Sequence, residues 1–125
     1  ILSSLKDDYH APFAHQGPCM HEALVTDKIQ KDEGVTTLDI AKGLVEHGFH
    51  PMTVYFPLVV AGTMLIEPTE TESKDSMDRF ITVMKDIAND VKSGDGDKYH
   101  SFPQSTPRKR LDEVKAARQP QLRWK

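Results

Sequence analysis

A long amphipathic pattern past the middle of the chain sets the frame for the fold. Apolar side chains recur at helical i, i+3, i+4 and i+7 spacing over about five turns, at Met77, Phe80, Ile81, Met84, Ile87, Ala88 and Val91. Gly94 lies where this helix would end, and Thr69 and Glu72 stand at capping-box spacing before it. The sequence therefore predicts one long helix whose single apolar face must pack on another layer.

A shorter helix and three strands precede the long helix. Thr36 is predicted to cap the shorter helix with Asp39 three residues on, and Gly48 stands at the position of a C′ glycine. Runs of β-branched and aromatic residues predict strands at 21–26, 53–56 and 63–66, the last two as antiparallel neighbours. The order strand–helix–strand–strand–helix predicts a two-layer α+β domain with one sheet face left for something else to cover.

Charge divides the chain into a body and a tail. Residues 1–97 hold 8 basic and 17 acidic side chains, whereas residues 98–125 hold 8 basic and 2 acidic ones. The turn-rich stretch Ser93–Asp97 joins the two parts. We therefore predict a small domain at 1–97 and a basic docking tail with a short helix at 98–125. In this tail, Trp124 is predicted to be an apolar anchor for a pocket on this chain or on another.

Composition excludes several classes of protein. A chain of 125 residues makes one domain, and no run approaches the roughly 18 apolar residues of a membrane span. The single cysteine, Cys19, favours a reducing, cytoplasmic location. The basic run 106–110 is short and lacks aromatic neighbours, so neither nucleic acid nor a membrane is an expected partner. Because the chain begins with Ile1, we expect it to be a piece of a longer protein.

Motifs for metal binding or nucleophilic catalysis are weak. The histidines form no zinc-binding spacing and the chain has no paired CxxC, so no metal site is predicted. Cys19 lies two residues from His21, but we expect a small buried or half-buried thiol rather than a nucleophile. The glutamates between residues 67 and 72 flank a strand end and a helix start, where carboxylates favour capping over acid–base catalysis.

Several stretches, in order along the chain, carry a resemblance to a known family. They are Cys19–Glu22, Gly34–Lys42, Gly48–Pro51, Met64–Ser73, Thr106–Arg118 and Leu122–Trp124. Together they resemble the C-terminal region of glycine dehydrogenase (decarboxylating), the pyridoxal-phosphate P-protein of the glycine cleavage system. The tail is similar to the end of subunit 2 of the two-subunit form, while residues 57–63 resemble the single-chain form as much.

The resemblance implies both a fold and an activity. The fold is the small C-terminal domain of a fold-type I pyridoxal-phosphate enzyme. The whole enzyme is an oxidoreductase of glycine catabolism, which decarboxylates glycine through a cofactor aldimine and passes the aminomethyl group to the lipoyl arm of H-protein. The implied partners are the upstream cofactor-binding domain of the same protein, glycine dehydrogenase subunit 1 and lipoylated H-protein.

The resemblance also limits which residues of this chain could act. The cofactor lysine of the family lies upstream, and none of the first five lysines here sits in its motif. We therefore expect no catalytic residue in this chain and no pyridoxal phosphate bound to it alone. Family-like segments make His21, His50, Thr69 and Glu70 candidates for the cleft between domains, although strand-end packing or helix capping is the favoured role for each.

A second hypothesis comes from charge alone. The opposite net charges of body and tail, −9 and +6, are typical of a free-standing binding module that docks an acidic partner through its basic tail. A module of this kind would have no cofactor-binding domain before Ile1.

Overall fold

Three short strands form one antiparallel sheet, in which the last strand along the chain lies between the other two. The computed structural model describes residues 1–124, so Lys125, the last residue of the predicted tail, lies outside it. The strands are β1 (Ala23–Thr26), β2 (Thr53–Val54) and β3 (Thr63–Ile66). The helices are α1 (Leu2–Leu5), α2 (Lys28–Asp32), α3 (Thr37–Glu46), α4 (Lys74–Lys92) and α5 (Glu113–Arg118), with 3-10 turns at Ala14–Gln16 and Gly96–Ser101.

The predicted α+β class and element order are confirmed, and so is the antiparallel pair of the last two strands. Thr53 pairs with Leu65 in this ladder. β2 is shorter than predicted because Tyr55 leaves the extended region, with a φ of 57°, and Pro57 has no N–H to donate. The short helices α1 and α2 were not predicted.

One face of the sheet and the apolar faces of α3 and α4 share a single core. The core comprises Leu5, Tyr9, Ala23, Val25, Val35, Ile40, Leu44, Met64, Ile66, Val83, Met84, Ile87, Ala88, Val91 and Tyr99. The predicted face of α4 is buried from Met84 onward, while Phe80 and Ile81 lie half-buried at the edge. The Tyr9 hydroxyl donates to the Met84 carbonyl over 2.9 Å, which fixes the N-terminal segment on α4.

The predicted start of α4 is wrong. Ser73, not Thr69, is the N-cap, and its hydroxyl oxygen accepts from the Ser76 amide over 3.1 Å. The Thr69 hydroxyl instead pairs with that of Thr71 at 2.8 Å. Ser73 has an extended backbone directly before the helix, the conformation that an N-cap needs. Glu72 does not cap an N–H group as predicted, because its carboxylate accepts from the Ser76 hydroxyl.

The predicted cap of α3 is confirmed as a full capping box. The Asp39 carboxylate accepts from the Thr36 amide over 2.9 Å, and the Thr36 hydroxyl oxygen accepts from the Asp39 amide. Asp39 is also held by the tail, because Arg110 donates to its other oxygen over 2.5 Å and His100 lies 3.3 Å from that oxygen. The tail is therefore fixed to the start of α3.

The next amide of α3 is satisfied from outside the helix. The Asp27 carboxylate, just after β1, accepts from the Thr37 amide over 2.9 Å. The Asp27 backbone amide and the Thr37 hydroxyl both donate to the Gly62 carbonyl, over 3.0 and 2.8 Å. A Cβ on Gly62 would lie 1.8 Å from an Asp27 carboxylate oxygen, so a larger residue would push this carboxylate away from the Thr37 amide. This junction, which we call the α3 start, joins both long strands to the helix.

The far end of α3 is bound to the tail as well. The Ser105 amide donates to the Glu46 carboxylate over 3.0 Å, and the Gln104 amide donates to the same oxygen. These amides and the nearby Lys109 ammonium hold the pKa of Glu46 below its usual value. The predicted division at residue 97 stays a prediction, although Tyr99 lies in the core.

Removal of the Asp27 carboxylate should destabilise the chain. Asp27→Ala leaves the buried Thr37 amide without a partner, and we expect the free energy of unfolding to fall by about 1–3 kcal/mol. Urea denaturation followed by circular dichroism measures this loss. Asp32→Ala, an exposed aspartate at the end of α2, is the matched control and should change stability little. Equal stability of the two variants would contradict the role of Asp27.

Stability should depend on pH through Asp39. Burial alone raises the pKa of this carboxyl, but hydrogen bonds from Thr36, Arg110 and His100 outweigh burial and hold it below its usual value. The stabilisation by ionised Asp39 is therefore fully present above pH about 4, which is the pKa of an aspartate in the unfolded chain. It is lost as the pH falls through the lower pKa of Asp39 in the folded chain. Arg110→Ala should cost about 1.5–3 kcal/mol at neutral pH, and the deficit should shrink in acid. Urea titrations across pH, with exposed Arg108→Ala as control, check this.

Candidate functional site

A cavity of about 380 Å³ opens where β3 ends, beside the start of β2 and the first turns of α4. Pro68 ends β3, and the chain then turns back through residues 67–72 into α4. The polar side chains that line the cavity are His50, Thr53, Glu67, Thr69, Glu72 and Ser76. The cavity is therefore formed by segments that are far apart in sequence.

The apolar wall of the cavity is fixed by contacts between the end of α3 and α4. Phe49 and Phe80 pack edge to face with ring centroids 5.6 Å apart, a favourable aromatic geometry. The Arg79 guanidinium lies 5.0 Å from the centre of the Phe49 ring and donates to the His47 carbonyl over 2.8 Å. These contacts hold the backbone that leads into His50.

The structure brings together two of the four predicted site residues. His50 and Thr69 both line the 380 Å³ cavity. His21 lines a neighbouring, more open cavity of about 760 Å³, together with Cys19 and Met77. Glu70 is exposed in the turn before α4 and lines neither cavity. The roles of all four residues stay predictions.

The Cys19 expectation is corrected. The thiol is exposed rather than buried or half-buried. The cause is local, because every residue from Phe13 to His21 is exposed along a surface segment, where Gly17 takes a φ of 109°.

The sequence did not single out Glu67, Glu72 and Ser76 as cavity residues. Glu67 was predicted to cap a helix, but it directly follows β3 and lines the cavity. The Glu72 carboxylate accepts from the Ser76 hydroxyl over 2.7 Å. The available signal was the position of Glu67 at a strand end next to Pro68, since such positions face the end of a sheet.

Glu67 also belongs to a cluster at the sheet edge. His21, Glu22 and Glu67 each place one imidazole or carboxylate atom within 4.8 Å of the others, and the His21 imidazole lies 3.8 Å from the Glu22 carboxylate. Imidazole and carboxylate groups are zinc ligands. His21 and Glu67 are exposed, and groups of this kind also pair with one another at a surface, so we assign no metal to the cluster.

The cavity residues do not fit pyridoxal phosphate by themselves. A phosphate group needs cationic or N–H donors, and the cofactor aldehyde needs a lysine amine. Within residues 1–124, no lysine or arginine lines this cavity and no lysine side chain is buried. The cavity carries the carboxylates of Glu67 and Glu72, which repel a phosphate. No catalytic step that uses the cofactor can be assigned to these residues.

The outer face of the sheet lies beside this cavity. Because side chains alternate along a strand, Leu24 and Leu65, which pair across β1 and β3, face away from the core. Both are half-buried, and neither belongs to the core cluster. The loop after β2 separately exposes the side chains of Phe56, Leu58 and Val59. The sheet therefore carries half-buried apolar side chains on the face that points away from the core.

Comparison with known proteins decides the family. A family model described as the glycine dehydrogenase C-terminal domain matches residues 1–107. This chain belongs to that family. A probable glycine dehydrogenase (decarboxylating) subunit 2 from Caulobacter vibrioides is 54% identical over 125 residues, which are 100% of this chain and 24% of that protein.

Two further relatives of the glycine dehydrogenase C-terminal domain carry the same name. The protein from Staphylococcus haemolyticus is 49% identical over 124 residues, 99% of this chain and 25% of its own length. The protein from Kosmotoga olearia is 46% identical over 114 residues, 90% of this chain and 23% of its own length. The chain thus spans about a quarter of these relatives, and the free-standing module is not favoured.

One negative finding concerns membranes. Over the part of the chain that the structure describes, no helix combines the length and apolar character of a membrane span.

The outer sheet face should make the isolated glycine dehydrogenase C-terminal domain self-associate. We expect dimers whose population rises with concentration, because apolar surface exposed on the sheet favours association. The double variant Leu24→Gln, Leu65→Gln should shift the equilibrium toward monomer, whereas Ile29→Gln, an exposed apolar residue of α2, should not. Analytical ultracentrifugation over a wide concentration range measures this. A strict monomer throughout would contradict the prediction.

Proposed function

We propose that this chain is the C-terminal domain of a glycine dehydrogenase (decarboxylating) subunit 2, and that it forms one wall of the cleft in which the whole enzyme acts on glycine. The observation that carries the proposal is the 54% identity over all 125 residues with a protein of that name, of which the chain covers 24%. The domain then has the role of the small C-terminal domain of a fold-type I pyridoxal-phosphate enzyme.

Two features of the structure support the proposal that this domain forms one wall of a cleft rather than a complete active site. The sheet has its helices and core on one face and apolar side chains, Leu24 and Leu65, on the other. The adjacent cavity has polar groups but lacks, among its lining residues from 1 to 124, any lysine for a cofactor aldehyde. We assign the cofactor and its lysine to the part of the enzyme that precedes this domain, against which the outer sheet face packs.

The cavity residues suit a small zwitterionic substrate. The His50 imidazole and the Thr69 hydroxyl can donate hydrogen bonds to a carboxylate, and the Glu67 carboxylate favours an ammonium group. We propose that His50 and Thr69 face the cleft and hold the substrate in position. His21 and Glu70 take places at its rim, because His21 lies just before β1 and Glu70 lies in the turn after β3.

The partners follow from the same proposal. The relatives are named subunit 2, which implies a companion subunit 1. Lipoylated H-protein is the proposed acceptor of the aminomethyl group, and pyridoxal phosphate is the proposed cofactor of the whole enzyme.

A chimera tests the proposal. This chain replaces the matching C-terminal quarter of the Caulobacter vibrioides subunit 2, and the chimera is purified with subunit 1 from the same organism. We expect the complex to show the visible absorbance of a lysine-bound cofactor and to release carbon dioxide from glycine when lipoylated H-protein is present. The isolated 125-residue chain should show neither property on titration with pyridoxal phosphate.

Two results would count against the proposal. Visible cofactor absorbance in the isolated chain would mean that the wrong domain had been assigned. A chimera that folds and assembles with subunit 1 but does not decarboxylate glycine would reject the proposed function.

Substrate positioning can be tested in the same chimera. We expect His50→Ala or Thr69→Ala to raise KM for glycine about tenfold, which corresponds to the loss of one hydrogen bond of about 1.4 kcal/mol. The matched controls are His15→Ala in the N-terminal 3-10 turn and Thr82→Ala on the exposed side of α4, which should leave KM unchanged. Equal KM values in all four variants would place His50 and Thr69 outside the substrate site.

A further inference from the structure

The chain ends in an exposed apolar segment that the body does not use. Residues 111–124 carry four large apolar side chains, and their exposed fractions are 71% for Leu111, 62% for Val114, 89% for Leu122 and 100% for Trp124. Single exposed apolar residues are common on protein surfaces. Four within one short segment, including a fully exposed tryptophan, are typical of a binding segment.

This segment has a defined starting point. Arg110 donates to the Asp39 carboxylate and to the carbonyls of Tyr99 and Phe102, over 2.5, 2.8 and 3.0 Å. The chain is therefore attached to the body at Arg110, and it leaves the body directly afterwards. We call residues 111–124 the C-terminal arm.

The arm contains a helix that is presented to solvent. In α5, the Asp112 carboxylate accepts from the Lys115 amide over 2.8 Å and caps the helix. Every residue of this helix is exposed. A capped helix with no face on the body offers its side chains to another surface.

The charges around the arm indicate the chemistry of that surface. Apart from Arg110, which Asp39 neutralises, residues 108–124 include five basic and two acidic side chains. They are Arg108, Lys109, Lys115, Arg118 and Arg123 against Asp112 and Glu113. A complementary surface is acidic and contains an apolar pocket for the tryptophan.

Relatives named subunit 2 align with the arm as well as with the body. The glycine dehydrogenase C-terminal family model ends at residue 107. The Caulobacter vibrioides and Staphylococcus haemolyticus proteins, both named subunit 2, align over 125 and 124 residues and so extend into the arm. The arm thus aligns with proteins whose name implies a companion subunit.

We propose that the C-terminal arm docks this domain onto the companion subunit, with Trp124 and Leu122 in an apolar pocket and the basic side chains against its acidic rim. The proposal rests on the proposed function, because that function supplies the companion subunit. It adds a specific contact surface, which lies apart from the cavity at the end of β3.

Binding of the chimera to purified Caulobacter vibrioides subunit 1 tests the arm. The double variant Leu122→Ser, Trp124→Ala should raise Kd at least about tenfold, as expected for a tryptophan at the centre of an interface. Lys115→Glu with Arg118→Glu should slow association and weaken its salt dependence. The matched controls, Ile29→Ala and Lys92→Glu, change an exposed apolar and an exposed basic residue of the body and should leave Kd unchanged.

The results separate the arm from the proposed function. An unchanged Kd in the Leu122→Ser, Trp124→Ala variant would contradict the proposed docking of the arm. Failure of the unmodified chimera to bind subunit 1 would contradict it as well. A variant that loses only self-association also overturns it, because the occupant would then be a second copy. If the unmodified chimera binds subunit 1 but does not act on glycine, the proposed function fails while Kd still decides the arm.

Discussion

The fold depends on how the first amide groups of α3 find hydrogen-bond partners. A helix leaves these N–H groups without partners of its own. Here the amides of Thr37, Leu38 and Asp39 donate to Asp27, Tyr55 and Thr36 in turn. Asp27 follows β1 and Tyr55 follows β2. Satisfying one helix end therefore sets the position of the sheet relative to α3.

The candidate site lies at the opposite end of the sheet from the α3 start. The ends of β1 and β2 and the start of β3 meet at the α3 start, whereas the opposite ends of β2 and β3 open into the cavity that contains His50 and Thr69. β3 has only four residues, so the cavity lies about 13 Å from the fixed junction at 3.3 Å per residue. The cavity therefore lies close to the anchored start of a short strand.

Local signals were enough to predict much of the fold. The Thr36–Asp39 box and the apolar stripe of α4 act within a few residues, so the sequence alone reveals them. Two potential caps, Thr69 and Ser73, stood before α4, and backbone geometry rather than residue type selected Ser73. Other features depend on tertiary contacts, so no local sequence pattern predicts them. They are the Asp27–Thr37 hydrogen bond, the left-handed backbone of Tyr55 and the Arg110–Asp39 ion pair. The same holds for the site, where His50 and Thr69 line one cavity only because β2 pairs with β3.

The attachment at Arg110 has a consequence for how fast a partner could be found. The fourteen residues from Leu111 to Trp124 reach at most about 50 Å, at no more than about 3.6 Å per residue, and α5 shortens that reach. A tryptophan on so short a tether explores a small volume, so its local concentration near an adjacent surface is high. Once two proteins touch elsewhere, capture by the tether becomes an intramolecular event rather than a second collision.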